Sequence, residues 1–178
     1  MKAVFLDRDG VLNKATIKNG RPYPPRNVGE VQILSGVLEA LENLRAIGFK
    51  LIVITNQPDV ARGSVTLESV EKINAHLNKF LPLDDIFCCF HDDLDNCNCR
   101  KPKPGGLLAA ARKYDIDLNK SYMVGDRWRD IEAGSSAGCK TIFLDYGYAE
   151  KQPDNLDFRV RSLLEAYKII KGEKSEES

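Results

Sequence analysis

The sequence predicts an α/β protein in three layers, a parallel sheet with helices on both faces. Three observations carry that expectation. Short runs at residues 3–6, 51–54, 122–124 and 141–144 are apolar apart from Thr141, as expected of strands buried on both faces. Between them lie segments whose apolar residues recur at helical spacing. The length of 178 residues suits one domain, and no linker interrupts it.

Residues 3–6 read as the first strand. Val37, Leu38, Leu41, Leu44 and Ile47 then describe a helix that Gly48 stops. Residues 51–54 give a second strand, and Leu67, Val70, Ile73, Leu77 and Leu81 a second helix. Residues 85–90 fit a third strand. A helix follows at 107–114, with Pro104 placed near its first turn. The runs at 122–124 and 141–144 flank a helix from about Asp130 to Ala137, and a last helix spans 162–171. Residues 13–31 and 92–103 have no period and are long enough to be functional loops. Residues 1–171 thus form one domain. The Glu-, Lys- and Ser-rich stretch 172–178 is expected to be a disordered tail.

Composition excludes several classes. Lys plus Arg and Asp plus Glu are each 26, so the formal net charge is zero, against a nucleic-acid or membrane-surface binder. No apolar stretch approaches the roughly 20 residues that cross a bilayer. Five cysteines, an odd number, fit reduced thiols better than a disulfide scaffold. A cytoplasmic monomer is expected.

In a parallel sheet, ligands bind beyond the carboxyl ends of the strands. The first run ends in Asp7-Arg8-Asp9-Gly10 and the fourth in Gly125-Asp126, with Asp130 four residues on. Carboxylates converging there repel one another, and a hard divalent cation, most simply Mg²⁺, relieves the repulsion. Asp-x-Asp-Gly after a strand is also an ordinary turn. Thr55-Asn56 ends the second run, where a hydroxyl and an amide suit a phosphate oxygen or, equally, a helix cap. Lys101 precedes Pro102, which favours an extended conformation from which its ammonium crosses the crevice. A solvated surface lysine is the plain alternative.

Cys89 and His91 share one face of the third strand, and Cys97 and Cys99 repeat the spacing. Three thiolates and an imidazole make a closed tetrahedral set for structural Zn²⁺, within a loop at 88–100. Free thiols are the alternative. Cys88, on the opposite strand face, and Cys139 are expected in the core.

The order Asp-x-Asp-Gly, Thr-Asn, Lys-Pro, Gly-Asp-x-x-x-Asp resembles the haloacid dehalogenase superfamily of phosphohydrolases, from residue 3 to about 144. Cys-x-His followed by Cys-x-Cys-Arg-Lys-Pro is similar to its zinc-bearing branch without a cap domain, which contains heptose-bisphosphate and histidinol-phosphate phosphatases. The resemblance implies a Rossmann-like fold in which loops select the substrate. It implies Asp7 as nucleophile, Asp9 as general acid and base, and Mg²⁺ on Asp7, the Asp9 carbonyl and Asp126, with Asp130 in support. Thr55, Asn56 and Lys101 would bind the transferring phosphoryl group, and Arg62 and Arg100 a second phosphate or sugar hydroxyls. A small phosphorylated sugar is the implied substrate, a heptose bisphosphate first. The alternatives are histidinol phosphate, another small phosphomonoester, or a zinc-stapled binding module without catalysis. Pro58-Asp59 stand where the heptose enzymes carry Ser-Gly.

Overall fold

A computed structural model describes residues 1–176, and it has the expected layered architecture. The sheet holds six parallel strands. They are β1 (Ala3–Leu6), β4 (Lys50–Asn56), β5 (Asp85–Cys89), β6 (Tyr122–Gly125), β7 (Lys140–Leu144) and β8 (Phe158–Val160), in the spatial order β5-β4-β1-β6-β7-β8. The chain leaves central β1 for β4 on one side and returns to β6 on the other. A crevice therefore opens where the carboxyl ends of β4, β1 and β6 meet.

Alternation along each strand sorts the core into two layers. Val4, Leu6, Leu51 and Val53 face α1 (Val37–Ala46), α2 (Leu67–Phe80) and α5 (Leu163–Glu176), where Leu41, Leu44, Ile73, Leu77 and Ile170 are buried. Ala3, Phe5, Ile52 and Ile54 face α3 (Gly105–Tyr114) and α4 (Trp128–Ala137), against Leu107, Ala110 and Ala133. Among the described residues no helix is long and apolar enough to cross a membrane.

Several elements differ from the sequence expectation. Residues 13–31 are not irregular throughout: β2 (Thr16–Lys18) and β3 (Arg21–Tyr23) pair as an antiparallel hairpin, and a 3₁₀ turn covers Val28–Glu30. Asn19 and Gly20, at φ 50° and 72°, supply the left-handed pair that a tight hairpin turn requires. The loop at 92–103 contains a 3₁₀ turn at Asp93–Asp95. Edge strand β8 was not expected, and α4 starts two residues before Asp130. The last helix runs on to Glu176, so residues 172–176 are helical where a disordered tail was expected; residues 177–178 lie outside the described residues.

Candidate active site

The ends of β1, β4 and β6 bring the motif residues together. Asp7, Asp126 and Asp130 place one carboxylate oxygen each within 4.8 Å of the others, and all three are buried. Lys101 lies among them, 2 % exposed, its Nζ 2.8 Å from Asp7 Oδ1, 2.6 Å from Asp130 Oδ1 and 2.6 Å from the Ile54 carbonyl. Three carboxylates against one ammonium leave a formal charge of −2, which a divalent cation would neutralise. Burial, with neighbouring Asp130 and Asp9 overcoming the pull of Lys101, raises Asp7 to about 6. Burial and the Asp7 charge hold Asp126 well above the usual carboxylate range. Asp126 Oδ1 is buried and has no hydrogen-bond partner among the described residues. An all-oxygen cluster with surplus negative charge and a bare oxygen fits a hard cation.

Gly10 makes this approach possible. Its φ of 91° is left-handed, and a Cβ there would lie 2.0 Å from Asp126 Oδ2.

Asp9 lines the same pocket. Its oxygens accept from Arg8 Nε and Nη2 (both 3.1 Å), Asn13 Nδ2 (3.0 Å) and Gln57 Nε2 (2.8 Å). Arg8 is fully buried and is held in turn by Asn74 Oδ1 at 2.9 Å. Gln57 also donates to Thr55 Oγ1 at 2.9 Å, which leaves the threonine O–H available as a donor. Thr55 and Asn56 fall inside β4, at its last two positions, and not beyond it. The Asn56 amide accepts from the Lys101 N–H and donates to the Lys101 carbonyl, both at 3.0 Å, and so seats the lysine.

The pocket over the cluster has a volume of about 300 Å³. Arg21, Arg62, Arg100, Arg127 and Arg129 line it, with Tyr23 and Pro58. Most of these guanidinium groups have acid partners. Arg62 donates to both oxygens of Asp92 at 2.9 and 2.7 Å, and Arg127 pairs with Glu150. Arg100 Nε donates to Asp93 at 2.8 Å, while its Nη1 is buried with no partner among the described residues.

The cysteine loop closes as its spacing suggests. Sγ of Cys89, Cys97 and Cys99 lie 3.2–3.7 Å apart, and His91 Nδ1 lies 3.5 and 3.4 Å from Cys89 and Cys99. A tetrahedral ion with bonds of about 2.3 Å to sulfur has ligand–ligand edges of about 3.8 Å, close to these distances. Against burial, the Arg100 N–H and the adjacent thiols lower Cys97 to about 7. Cys139 is buried, whereas Cys88 is half-buried and its Sγ accepts from Asn74 at 3.4 Å.

Sequence reasoning missed the clamp on Asp9 (Arg8, Asn13, Asn74), the hairpin residues Arg21 and Tyr23, and Tyr148, whose hydroxyl donates to Asp126 Oδ2 at 2.7 Å. The Asn19-Gly20 dipeptide was the available signal for the hairpin. Trp128 lines a separate cavity beside α4.

A buried carboxylate–lysine cluster beneath an arginine-lined pocket is built to bind a phosphate monoester and transfer its phosphoryl group. A family model of haloacid dehalogenase-like hydrolases matches residues 25–138. The chain is 35% identical to the D-glycero-beta-D-manno-heptose-1,7-bisphosphate 7-phosphatase of Pasteurella multocida, over 98% of this chain and 99% of that protein. It is 38% identical to the Helicobacter pylori enzyme of the same name, over 80% and 82%. A crystal structure of D,D-heptose 1,7-bisphosphate phosphatase from B. bronchiseptica, complexed with magnesium and phosphate, superposes with a TM-score of 0.83 at 30% identity, covering 97% of this chain and 99% of that one. The chain belongs to the haloacid dehalogenase-like hydrolases. It is a phosphatase of that family.

Proposed function

We propose that the enzyme is Mg²⁺-dependent and removes the 7-phosphate of D-glycero-D-manno-heptose 1,7-bisphosphate. Asp7 is the nucleophile and carries an aspartyl-phosphate. Its contact with the buried ammonium of Lys101, inside a three-carboxylate cluster, is the observation that carries this reading. Asp7, the Asp9 carbonyl and Asp126 would hold Mg²⁺, which when bound supplies positive charge to the phosphoryl oxygens. Lys101 holds the attacking carboxylate and faces the charge that develops on phosphorus. Thr55 donates its hydroxyl to a phosphoryl oxygen, and Asn56 acts mainly by fixing Lys101. Asp130 holds the far side of Lys101 and caps α4 by accepting from the Arg127 N–H at 2.9 Å. Asp9 gives a proton to the leaving sugar oxygen and later takes one from water. To do so its carboxyl must turn away from Arg8.

The arginines that line the pocket support a substrate with a second phosphate. Arg100, with an unpartnered buried Nη1, is the better placed of the two proposed arginines. Arg62 is already engaged by Asp92. Phosphate release measured with heptose 1,7-bisphosphate, fructose 1,6-bisphosphate and histidinol phosphate tests the choice. The heptose bisphosphate is expected to have the highest kcat/KM. A histidinol phosphate value equal to or above it would overturn the substrate and leave the chemistry standing.

Cys89, His91, Cys97 and Cys99 would hold structural Zn²⁺. The loop they close carries Asp92 and Asp93, the partners of Arg62 and Arg100, and runs directly into Lys101. Stripping the zinc is therefore expected to lower Tm by about 10 °C and to raise KM. Metal-free protein with unchanged Tm and KM would exclude that role.

A further inference from the structure

Residues 145–150, which follow β7, touch three parts of the site. Tyr146 Oη donates to the Gly10 carbonyl at 2.8 Å, in the loop after β1. Tyr148 Oη donates to Asp126 Oδ2 at 2.7 Å. The Ala149 N–H donates to the Gly20 carbonyl at 2.8 Å, at the turn of the β2–β3 hairpin. The two tyrosine rings lie 5.6 Å apart between centroids, so the strap is braced internally. Arg127, beside Asp126 in the chain, pairs with Glu150 at the strap's end.

These contacts divide the Asp126 carboxylate. The phenol takes Oδ2, and Oδ1 is left buried and bare. Hydrogen bonds of this kind orient a metal-binding carboxylate and tune its affinity. The same strap bears on the hairpin whose Arg21, Pro22 and Tyr23 line the pocket. Contact there is close: a Cβ at Gly20 would lie 2.8 Å from the Ala149 Cβ.

We propose that Tyr148 is a positioning residue for the metal site, fixing Asp126 with Oδ1 turned to the divalent cation, and that the 145–150 strap transmits the position of the substrate-facing hairpin to it. This inference rests on the reading of Asp126 as a metal ligand. Displacing the hairpin moves Ala149 and, one residue away, the phenol that sets the carboxylate. Because coupling between sites is reciprocal, an occupant of the pocket that seats the hairpin strengthens cation binding, and the cation strengthens the binding of that occupant.

Calorimetric titration of MgCl₂ into zinc-loaded protein, dialysed free of magnesium, tests this. Tyr148→Phe keeps the ring and removes the hydroxyl. It is expected to weaken magnesium binding on the order of 10-fold. Its turnover deficit is expected to shrink as magnesium is raised. Gly20→Ala, which touches no metal ligand, is expected to weaken magnesium binding by a smaller factor. The double variant should bind no more weakly than Tyr148→Phe alone, since both act through one hydrogen bond. Unchanged affinity in Tyr148→Phe overturns the positioning role, and additive losses overturn the transmission. Wild-type protein that binds no magnesium, or whose binding survives Asp126→Asn, overturns the metal site itself and this inference with it.

Discussion

Asp7→Asn is expected to abolish phosphate release, by on the order of 10⁴-fold or more, while the protein stays folded. An amide has the shape of the carboxylate but cannot attack phosphorus. The fold should tolerate the change because the site does not favour a charge at this position by itself: burial raises Asp7 to about 6. Phosphate release at saturating substrate measures the loss, and circular dichroism with thermal melting checks the fold. A folded variant that turns over near the normal rate would mean that Asp7 is not the nucleophile.

Lys101→Met carries the largest expected effect on stability. The lysine is buried between Asp7 and Asp130 and also donates to the Ile54 carbonyl. Methionine fills the volume but strands two buried carboxylates, a loss of about 3–5 kcal/mol by comparison with other broken buried pairs. The pH dependence has a definite sign. Carboxylates whose folded pKa is raised keep their stability below the unfolded value, near 3.8, and lose it as pH rises through the folded value. Without the lysine that folded value lies higher than the about 6 of Asp7 in the intact site. The deficit of Lys101→Met, measured by denaturant unfolding in magnesium-free buffer, is therefore expected to be largest near neutral pH and to shrink toward pH 4. A deficit that grows on acidification would contradict this electrostatic account.

The parts of the molecule that were legible in the sequence share a physical cause. Strands β1, β4, β6 and β7 are buried on both faces, so each carries a short, mainly apolar run. The polar residues that end those runs stand out because a sheet positions them, and Asp7, Thr55 and Asp126 were found that way. The cysteine loop was legible because Cys89, His91, Cys97 and Cys99 are close in the chain. The hairpin at 16–23 was not, since its residues are mostly exposed and have no apolar alternation. Its one signal was Asn19-Gly20. Edge strand β8 is three residues long, too short for a period. Tyr148 lies 22 residues beyond Asp126, on a loop, and only the folded chain brings its hydroxyl to that carboxylate. The Asn56 amide illustrates a different limit: its position was foreseen, but its partner, the backbone of Lys101, depends on how the two loops meet.

The covalent mechanism at Asp7 is tested most directly by rapid acid quenching of a single turnover, followed by peptide mass spectrometry. Asp9→Asn serves as the slow-release form, because on the proposed mechanism it lacks the base that activates water. A phosphoryl group on the peptide containing Asp7 is expected at early times in the wild type and to decay there; in Asp9→Asn, which also lacks the acid for the leaving oxygen, it is expected to form more slowly and then persist. Phosphate released in the first turnover with no phosphoryl-protein at any time point, in either protein, would contradict the account.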